Sequence, residues 1–343
     1  MEGEQPENTN LIMTYSFDKT AYLQAICARS LKVYENLQVA LNNLDLAARD
    51  VHSIYAAGSV GRLEINDESD VDGVVVLNKP VDETHVAELM SAIETCYEQA
   101  GLKLAKTTGI YRQPIAIQSL LDAAQRGSLT ESPDVYGKRI QLLLDARPLY
   151  AAREFRRLQT DVLNWFMPTL GPGFGNAIFL MTEIKRYYSA YSAWQYFKFG
   201  KSADDGWLLR QAKLKITRTS TMTALILLLG ARSDGQGNID FEQCLSATPL
   251  ERILRVFDAY ADDESSAAYL AVYEAALQLL GDQQVRRVLI EYSPASYEEI
   301  NGDIPNEFDS LCEFANRLSE LTTSFILKRT PDWSAEFYRQ CFV

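Results

Sequence analysis

One stretch constrains this chain more than any other. Tyr55-Ala-Ala-Gly58-Ser59-Val-Gly61-Arg62-Leu-Glu64 is followed by Ser69-Asp70-Val-Asp72-Gly and then the apolar run Val74-Val-Val-Leu77. A small-residue turn thus stands a fixed distance ahead of two carboxylates that alternate into a strand. Residues two apart on a strand share a face, so Asp70 and Asp72 aim together while Val71 points away. Paired carboxylates suit a hard cation such as Mg²⁺ or Mn²⁺, and such a cation suits a polyphosphate. Gly58-Ser59 lets backbone approach phosphate oxygens closely. An acidic turn over Asn66–Asp70 would by itself be ordinary turn chemistry. It leaves unexplained why two acids continue into the strand. No Gly-x-x-x-x-Gly-Lys-Ser/Thr loop competes with this motif, and no Gly-x-Gly-x-x-Gly opens a helix.

The pattern Gly-Ser-x-Gly-Arg-x-Glu, then Ser-Asp-x-Asp, then Val and Leu resembles the nucleotidyltransferase superfamily that includes DNA polymerase beta. It is most similar to the bacterial branch containing the uridylyl- and adenylyl-transferases of nitrogen regulation. The resemblance implies that Asp70 and Asp72 bind one or two divalent metals (Mg²⁺ or Mn²⁺) as catalytic residues. Gly58 and Ser59 would hold a nucleoside triphosphate, with Ser69 and Lys213 also on the nucleotide and Arg62 either on phosphate or bracing the turn. Glu64 would fix Arg62 or the turn. The implied reaction is in-line attack of an acceptor hydroxyl on the α-phosphate with release of pyrophosphate. The acceptor stays open: a protein side chain, a small molecule, or another nucleotide, as in anti-phage enzymes that make cyclic or linear oligonucleotides. Active members usually carry a third carboxylate on a later strand. The strand candidates Leu102–Thr107 and Gly109–Gln118 contain no acid, and Asp122, Glu131, Asp134 and Asp145 fall on positions read as helix or loop. No third acid is assigned, which leaves room for a nucleotide-binding regulatory protein without transfer activity.

Periodicity supplies the frame. Leucines and their neighbours spaced by three and four predict a helix from about Lys19 to Ala48, with Asp18 as its cap. His52–Ala57 and Val71–Leu77 read as strands, and Glu83–Gln99 as an amphipathic helix stopped by Gly101. Residues 113–135 give no clear pattern. Gly137–Tyr150 reads as a helix or buried segment running into a turn bounded by Pro148. Beyond it nearly everything is helical: Glu154–Met167, Ala177–Phe199, Gly206–Leu229, and then about 248–261, 264–281, 283–291 and 306–328. The expected organisation is a flexible tail over 1–18, an α/β (α+β) nucleotidyltransferase core with a mixed sheet over 19–150, and a mostly helical domain over 151–343.

The helical part has its own signature in Phe179–Tyr188 and Trp207–Arg218, similar to the region accompanying the catalytic domain in a group of bacterial nucleotidyltransferases. Arg210, Lys213, Lys215 and Arg218 form a basic helix inside an acidic chain. In α-helical spacing Arg210, Lys213 and Thr217 share one stripe, and Lys185 and Arg186 lie on the preceding helix. Such a cluster suits a triphosphate or a local stretch of oligonucleotide backbone. A solvated face laced with salt bridges is the plainer alternative. The aromatic series from Tyr187 to Phe199 reads chiefly as core.

Composition removes other classes. A net charge of −13 over 343 residues argues against a nonspecific nucleic-acid coat or an anionic membrane as partner. Five scattered cysteines without a Cys-x-x-Cys pair, and only two histidines, make a zinc site improbable and suit a reduced, cytoplasmic protein. No apolar run approaches the ~18 residues of a membrane span. Ser233–Glu242 imitates a calcium loop, but Arg232 and Gln243 would occupy its first and last ligand positions.

Overall fold

A computed structural model describes residues 20–104, 113–167, 177–197, 206–236, 239–292 and 304–342. The tail expected over 1–18, Asp18 included, lies outside them. The first helix, α1 (Ala21–Asn42), buries Leu23, Ile26, Cys27, Tyr34, Leu37 and Leu41, the spacing that the sequence shows. Thr20 precedes it without a side-chain capping bond. The cap comes from far away instead: Glu274 Oε1 accepts from the Tyr22 and Leu23 amides at 2.8 and 3.2 Å. It satisfies donors that a helix start leaves unpaired.

The sheet follows. Strand β1 (Val51–Ala57) leads directly into a short helix, α2 (Gly58–Arg62), and the chain returns as β2 (Asp70–Leu77). The two strands are antiparallel, with Ala57 opposite Asp72 and Tyr55 opposite Val74. Helix α3 (Glu83–Gln99) matches its expected span, and Asp82 caps it by accepting from the His85 amide at 2.9 Å. Two short strands, β3 (Lys103–Leu104) and β4 (Ile115–Ala116), lie parallel to β2 at its two ends. Most of the remaining stretch over 102–118 that the sequence suggested as strand lies outside the described residues.

Next come α4 (Ile117–Leu121), α5 (Pro133–Leu144) and strand β5 (Arg147–Tyr150). The turn expected at Pro148 is in fact this strand, antiparallel to β1. The order β3-β2-β1-β5 puts β5 on an edge, where a proline's missing N–H costs no ladder bond.

Helices complete the chain: α6 (Ala152–Phe166), α7 (Ile178–Phe197), α8 (Trp207–Lys213), a π turn (Leu214–Arg218), α9 (Thr219–Ser233), α10 (Phe241–Leu245), α11 (Pro249–Ala259), α12 (Asp263–Gly281), α13 (Gln283–Glu291), α14 (Asn306–Lys328) and α15 (Ala335–Phe342). Among the described residues none is long and apolar enough to cross a membrane. The protein is a mixed α/β chain with a small mixed sheet and many helices.

Strand alternation sorts the sheet into two faces. Val71, Val75 and Leu77 join Ile54 and Ala56 in a core with α1 and α3. Tyr55, Val74 and Val76 join a larger core that runs through α5 and α6 to α14. Asp70 and Asp72 share the parity of Val74 and Val76. They therefore stand on the face that the helices cover.

Candidate functional site

The two motif glycines are close-approach positions. Gly58 has φ +66°, and a Cβ there would lie 2.4 Å from Asp72 Oδ2. A Cβ on Gly61 would lie 2.1 Å from the carbonyl oxygen of Asp145. Helix α2 thus nests between β2 and the chain entering β5, and any larger residue would push these segments apart. Leu63 ends α2 in the left-handed region at φ 59°, a costly conformation for a branched side chain, held here by complete burial.

Asp145 is the residue that sequence reasoning left unassigned. It follows α5 and sits just ahead of β5, with its side chain wholly buried. Its Oδ2 accepts from the Gly58 amide at 3.1 Å and from Arg62 Nη1 at 2.8 Å. Its Oδ1 is buried and accepts no hydrogen bond among the described residues. Gly58 therefore spends its N–H on a carboxylate. Ser59 is half-buried in the first turn of α2.

Arg62 is the brace of the site. It also donates through Nε to Glu64 Oε2 at 2.7 Å, and Glu64 Oε1 accepts from the Tyr273 hydroxyl at 2.6 Å. Burial works against the Arg62 charge, but Glu64 and Asp145 outweigh it and raise the guanidinium above its ordinary value. The chain Tyr273–Glu64–Arg62–Asp145 ties α12 to the sheet. Ser69 has a local job: its Oγ accepts from the Asn66 amide at 3.0 Å and closes the turn before β2.

Asp70 is exposed at the start of β2, whereas the Asp72 side chain is 18% exposed. Burial pushes the Asp72 carboxyl up to about 6, with Asp70 and Asp145 adding repulsion and Arg218 and Arg62 opposing. Arg218 reaches both inner acids. Its Nη2 lies 3.6 Å from Asp72 Oδ2 and its Nη1 3.6 Å from Asp145 Oδ2. Among the described residues, no three His, Cys, Asp or Glu side chains converge closely enough to hold a metal ion as they stand.

The basic helix is rephased by its π turn. The Thr219 hydroxyl donates to the Leu214 carbonyl five residues back at 2.9 Å, and it is 2.6 Å from the Tyr188 hydroxyl on α7. The extra residue turns Thr217 inward, where it is buried, and brings Arg218 to the acids. Arg210 and Lys213 precede the π turn on α8, so of the stripe expected for an unbroken α-helix Thr217 alone falls within it. Lys213 stays accessible to solvent, though protein crowds it on most sides. That crowding, with Arg286, Arg62 and Arg218 nearby, pushes its ammonium down to about 8, while Asp70 works the other way. Arg286, on α13, is a cation that the sequence did not single out; burial lowers its value, and Glu68 and Asp70 oppose that.

Other candidates lie elsewhere. Lys215 is exposed and its charge is felt by Cys312 on α14. Arg210 is half-buried on α8. Lys185 donates to the Gln340 carbonyl at 3.0 Å, and Arg186 lies 4.7 Å over the Tyr136 ring, so neither joins the acids. Much of the aromatic series is not core: Trp194, Tyr196 and Phe197 are 53%, 44% and 62% exposed. Helix α7 packs instead through Leu180, Met181 and Ile184. Tyr187 and Tyr191 stack at 6.1 Å beside the acids, with the Arg218 guanidinium 5.7 Å over Tyr191. Another missed residue is Arg252, buried on α11, which donates to the Leu143 and Leu144 carbonyls at 2.8 and 2.7 Å and so fixes the end of α5 ahead of Asp145.

Compared with known proteins, the chain matches no family model, and no characterised protein matches it significantly in sequence.

Proposed function

We propose that this protein is a metal-dependent nucleotidyltransferase of the DNA polymerase beta-like kind. It would move a nucleoside monophosphate from a triphosphate to an acceptor hydroxyl. One observation carries the reading. Asp145 lies beside Asp72 across Gly58, shares the Arg218 guanidinium with it, and keeps one buried oxygen without a hydrogen bond. Asp145, two residues ahead of β5, would then serve as the third carboxylate that the resemblance calls for. The rival reading, a binding protein without transfer, rested on the lack of such an acid.

The donor set fits a hard cation. The acids are carboxylates with no thiol or imidazole among them, which favours Mg²⁺ or Mn²⁺ over softer metals. Asp70 and Asp72 would hold the ion, which when bound supplies Lewis-acid polarisation of the α-phosphate. Lys213, Arg218 and Arg286, cations near the acids, would neutralise the triphosphate. Arg62 stays behind them, holding Asp145 in place. The acceptor oxygen forms a bond to the α-phosphorus, the bond to the β-phosphate oxygen breaks, and pyrophosphate leaves. The hydroxyl proton goes to Asp145 Oδ1. Rate enhancement would come from positioning and charge neutralisation.

The test is pyrophosphate release with each NTP and dNTP in Mg²⁺ or Mn²⁺, with mass spectrometry of the protein and the small-molecule products. Release that disappears in Asp72→Asn is the expected result, and the mass of the adduct or oligomer identifies the acceptor class. Absence of both release and nucleotide-dependent thermal stabilisation would sink the reading.

A further inference from the structure

Two guanidinium groups touch the inner acids, and they do so differently. Arg62 makes hydrogen bonds of 2.7 and 2.8 Å and its side chain is 7% exposed. Arg218 stands at 3.6 Å from each carboxylate with its side chain 22% exposed. Arg62 is a fixture, whereas Arg218 meets these two carboxylates at ion-pair distance on a side chain that water reaches. It also sits on the π turn, a local irregularity within an otherwise continuous helical run, and over the Tyr191 ring, a face that attracts a cation.

The charge count sharpens the contrast. Arg62, Arg218, Lys213 and Arg286 stand near Asp70, Asp72 and Asp145, so cations already offset the charge of the acids. A divalent ion entering alone meets acids already offset by cations and must displace Arg218 from Asp72. An ion entering with a polyphosphate brings the negative charge that Arg218 needs on leaving the acids.

We propose that Arg218 competes with the divalent cation for Asp72 while also covering Asp145, so that the site takes a metal–triphosphate complex in preference to the free ion. This rests on the nucleotidyltransferase reading above. Arg218 moves from carboxylate to phosphate as the complex binds, and that exchange uncovers the buried Asp145. It acts as a specificity-determining residue: it couples metal and nucleotide binding, and the coupling is reciprocal.

The experiment is Mn²⁺ binding to the full chain, followed by the electron paramagnetic resonance signal of free Mn²⁺, with and without an α,β-methylene triphosphate analogue. Wild type binds Mn²⁺ weakly alone and far more tightly with the analogue. Arg218→Gln binds Mn²⁺ alone roughly tenfold more tightly or better, as expected for removing a cation about 4 Å from the ligand Asp72. The enhancement by the analogue shrinks by a similar factor. Arg232→Gln removes the same charge further along the helical run and leaves Mn²⁺ binding as in wild type. The proposal is overturned if Arg218→Gln binds Mn²⁺ alone no more tightly than wild type, or if Arg232→Gln tightens it equally. If Arg218→Gln does not fold, Arg218→Lys decides: a single ammonium cannot bridge both carboxylates, so unchanged affinity overturns the idea. Mn²⁺ binding that ignores both the analogue and Asp72→Asn removes the underlying site reading instead.

Discussion

Two buried arginine–carboxylate assemblies in this protein differ in what they leave over. Arg139 on α5 meets both oxygens of Glu131 at 2.9 and 2.7 Å. It also donates to the Leu120 and Ser119 carbonyls and lies 3.9 Å over the Trp165 ring. One cation meets one anion, and both carboxylate oxygens are used. The assembly around Arg62 has two acids, a buried oxygen with no bond, and a second guanidinium leaning in from another helix. A finished ion pair holds elements together, while an unfinished one keeps capacity for something else. Burial alone does not separate the two, because Arg139 is the more deeply buried. The residual valence separates them.

Breaking the finished pair has the largest expected effect on folding. Glu131→Ala strands the Arg139 charge and destabilises the fold by about 3–5 kcal/mol, read by chemical denaturation. Nucleotide stabilisation of whatever remains folded is unchanged. A smaller loss would mean that the carbonyls and Trp165 suffice for Arg139. Asp145→Asn inverts the pattern. The amide keeps an oxygen for Gly58 and Arg62, so stability changes little, but pyrophosphate release falls on the order of 10²–10³-fold. If stability collapses and release per folded molecule survives, Asp145 belongs with Glu131 and the contrast fails.

The difference between the assemblies was only partly legible in the sequence. β1, β2 and α3 were readable because alternation and three–four spacing are local properties. The pairing of Asp70 and Asp72 followed from the same period. Asp145 was hidden because β5 is four residues long and contains Pro148, too short for any period to show. Its place depends on pairing with β1 some ninety residues earlier in the chain. Gly61 was a trace of it, since a glycine there is required by the Asp145 carbonyl. Arg218 was on the page as one cation of four, but an α-helical period gave its place to Thr217. Beside the π turn Tyr188 and Thr219 meet across two helices, a contact that no local pattern encodes.

Tyr273 tests whether the site assembly also carries structure. Its hydroxyl gives Glu64 a bond at 2.6 Å across 209 residues of chain. Tyr273→Phe keeps the ring and removes that bond, leaving a buried carboxylate oxygen short of a donor. The expected cost is about 2 kcal/mol, in the range for hydrogen bonds to charged groups. Nucleotide stabilisation should weaken only modestly, because Arg62 still holds Asp145. Loss of nucleotide stabilisation with unchanged stability would make the tyrosine part of the binding surface instead.

Titration gives the smallest effect and the finest discrimination. Asp72 is held up to about 6 from an ordinary 3.8, first by burial and then by Asp70 and Asp145. Below about pH 4 both folded and unfolded chains carry the proton, and Asp72→Asn should be neutral toward stability. Between about 4 and 6 the unfolded chain releases the proton while the folded chain keeps it, so wild-type stability falls as pH rises relative to the variant. Above 6 the folded chain bears the full repulsion. Two pKa units correspond to about 3 kcal/mol. With water reaching an 18%-exposed side chain, an advantage of about 1 kcal/mol for Asp72→Asn at pH 8 is the reasonable expectation. Denaturation from pH 4 to pH 8 in metal-free buffer measures it. A variant less stable than wild type at pH 8 would mean that Asp72, like Glu131, is a satisfied partner of its arginine, and the burial and repulsion that set this site apart from the Glu131 pair would not be what governs it.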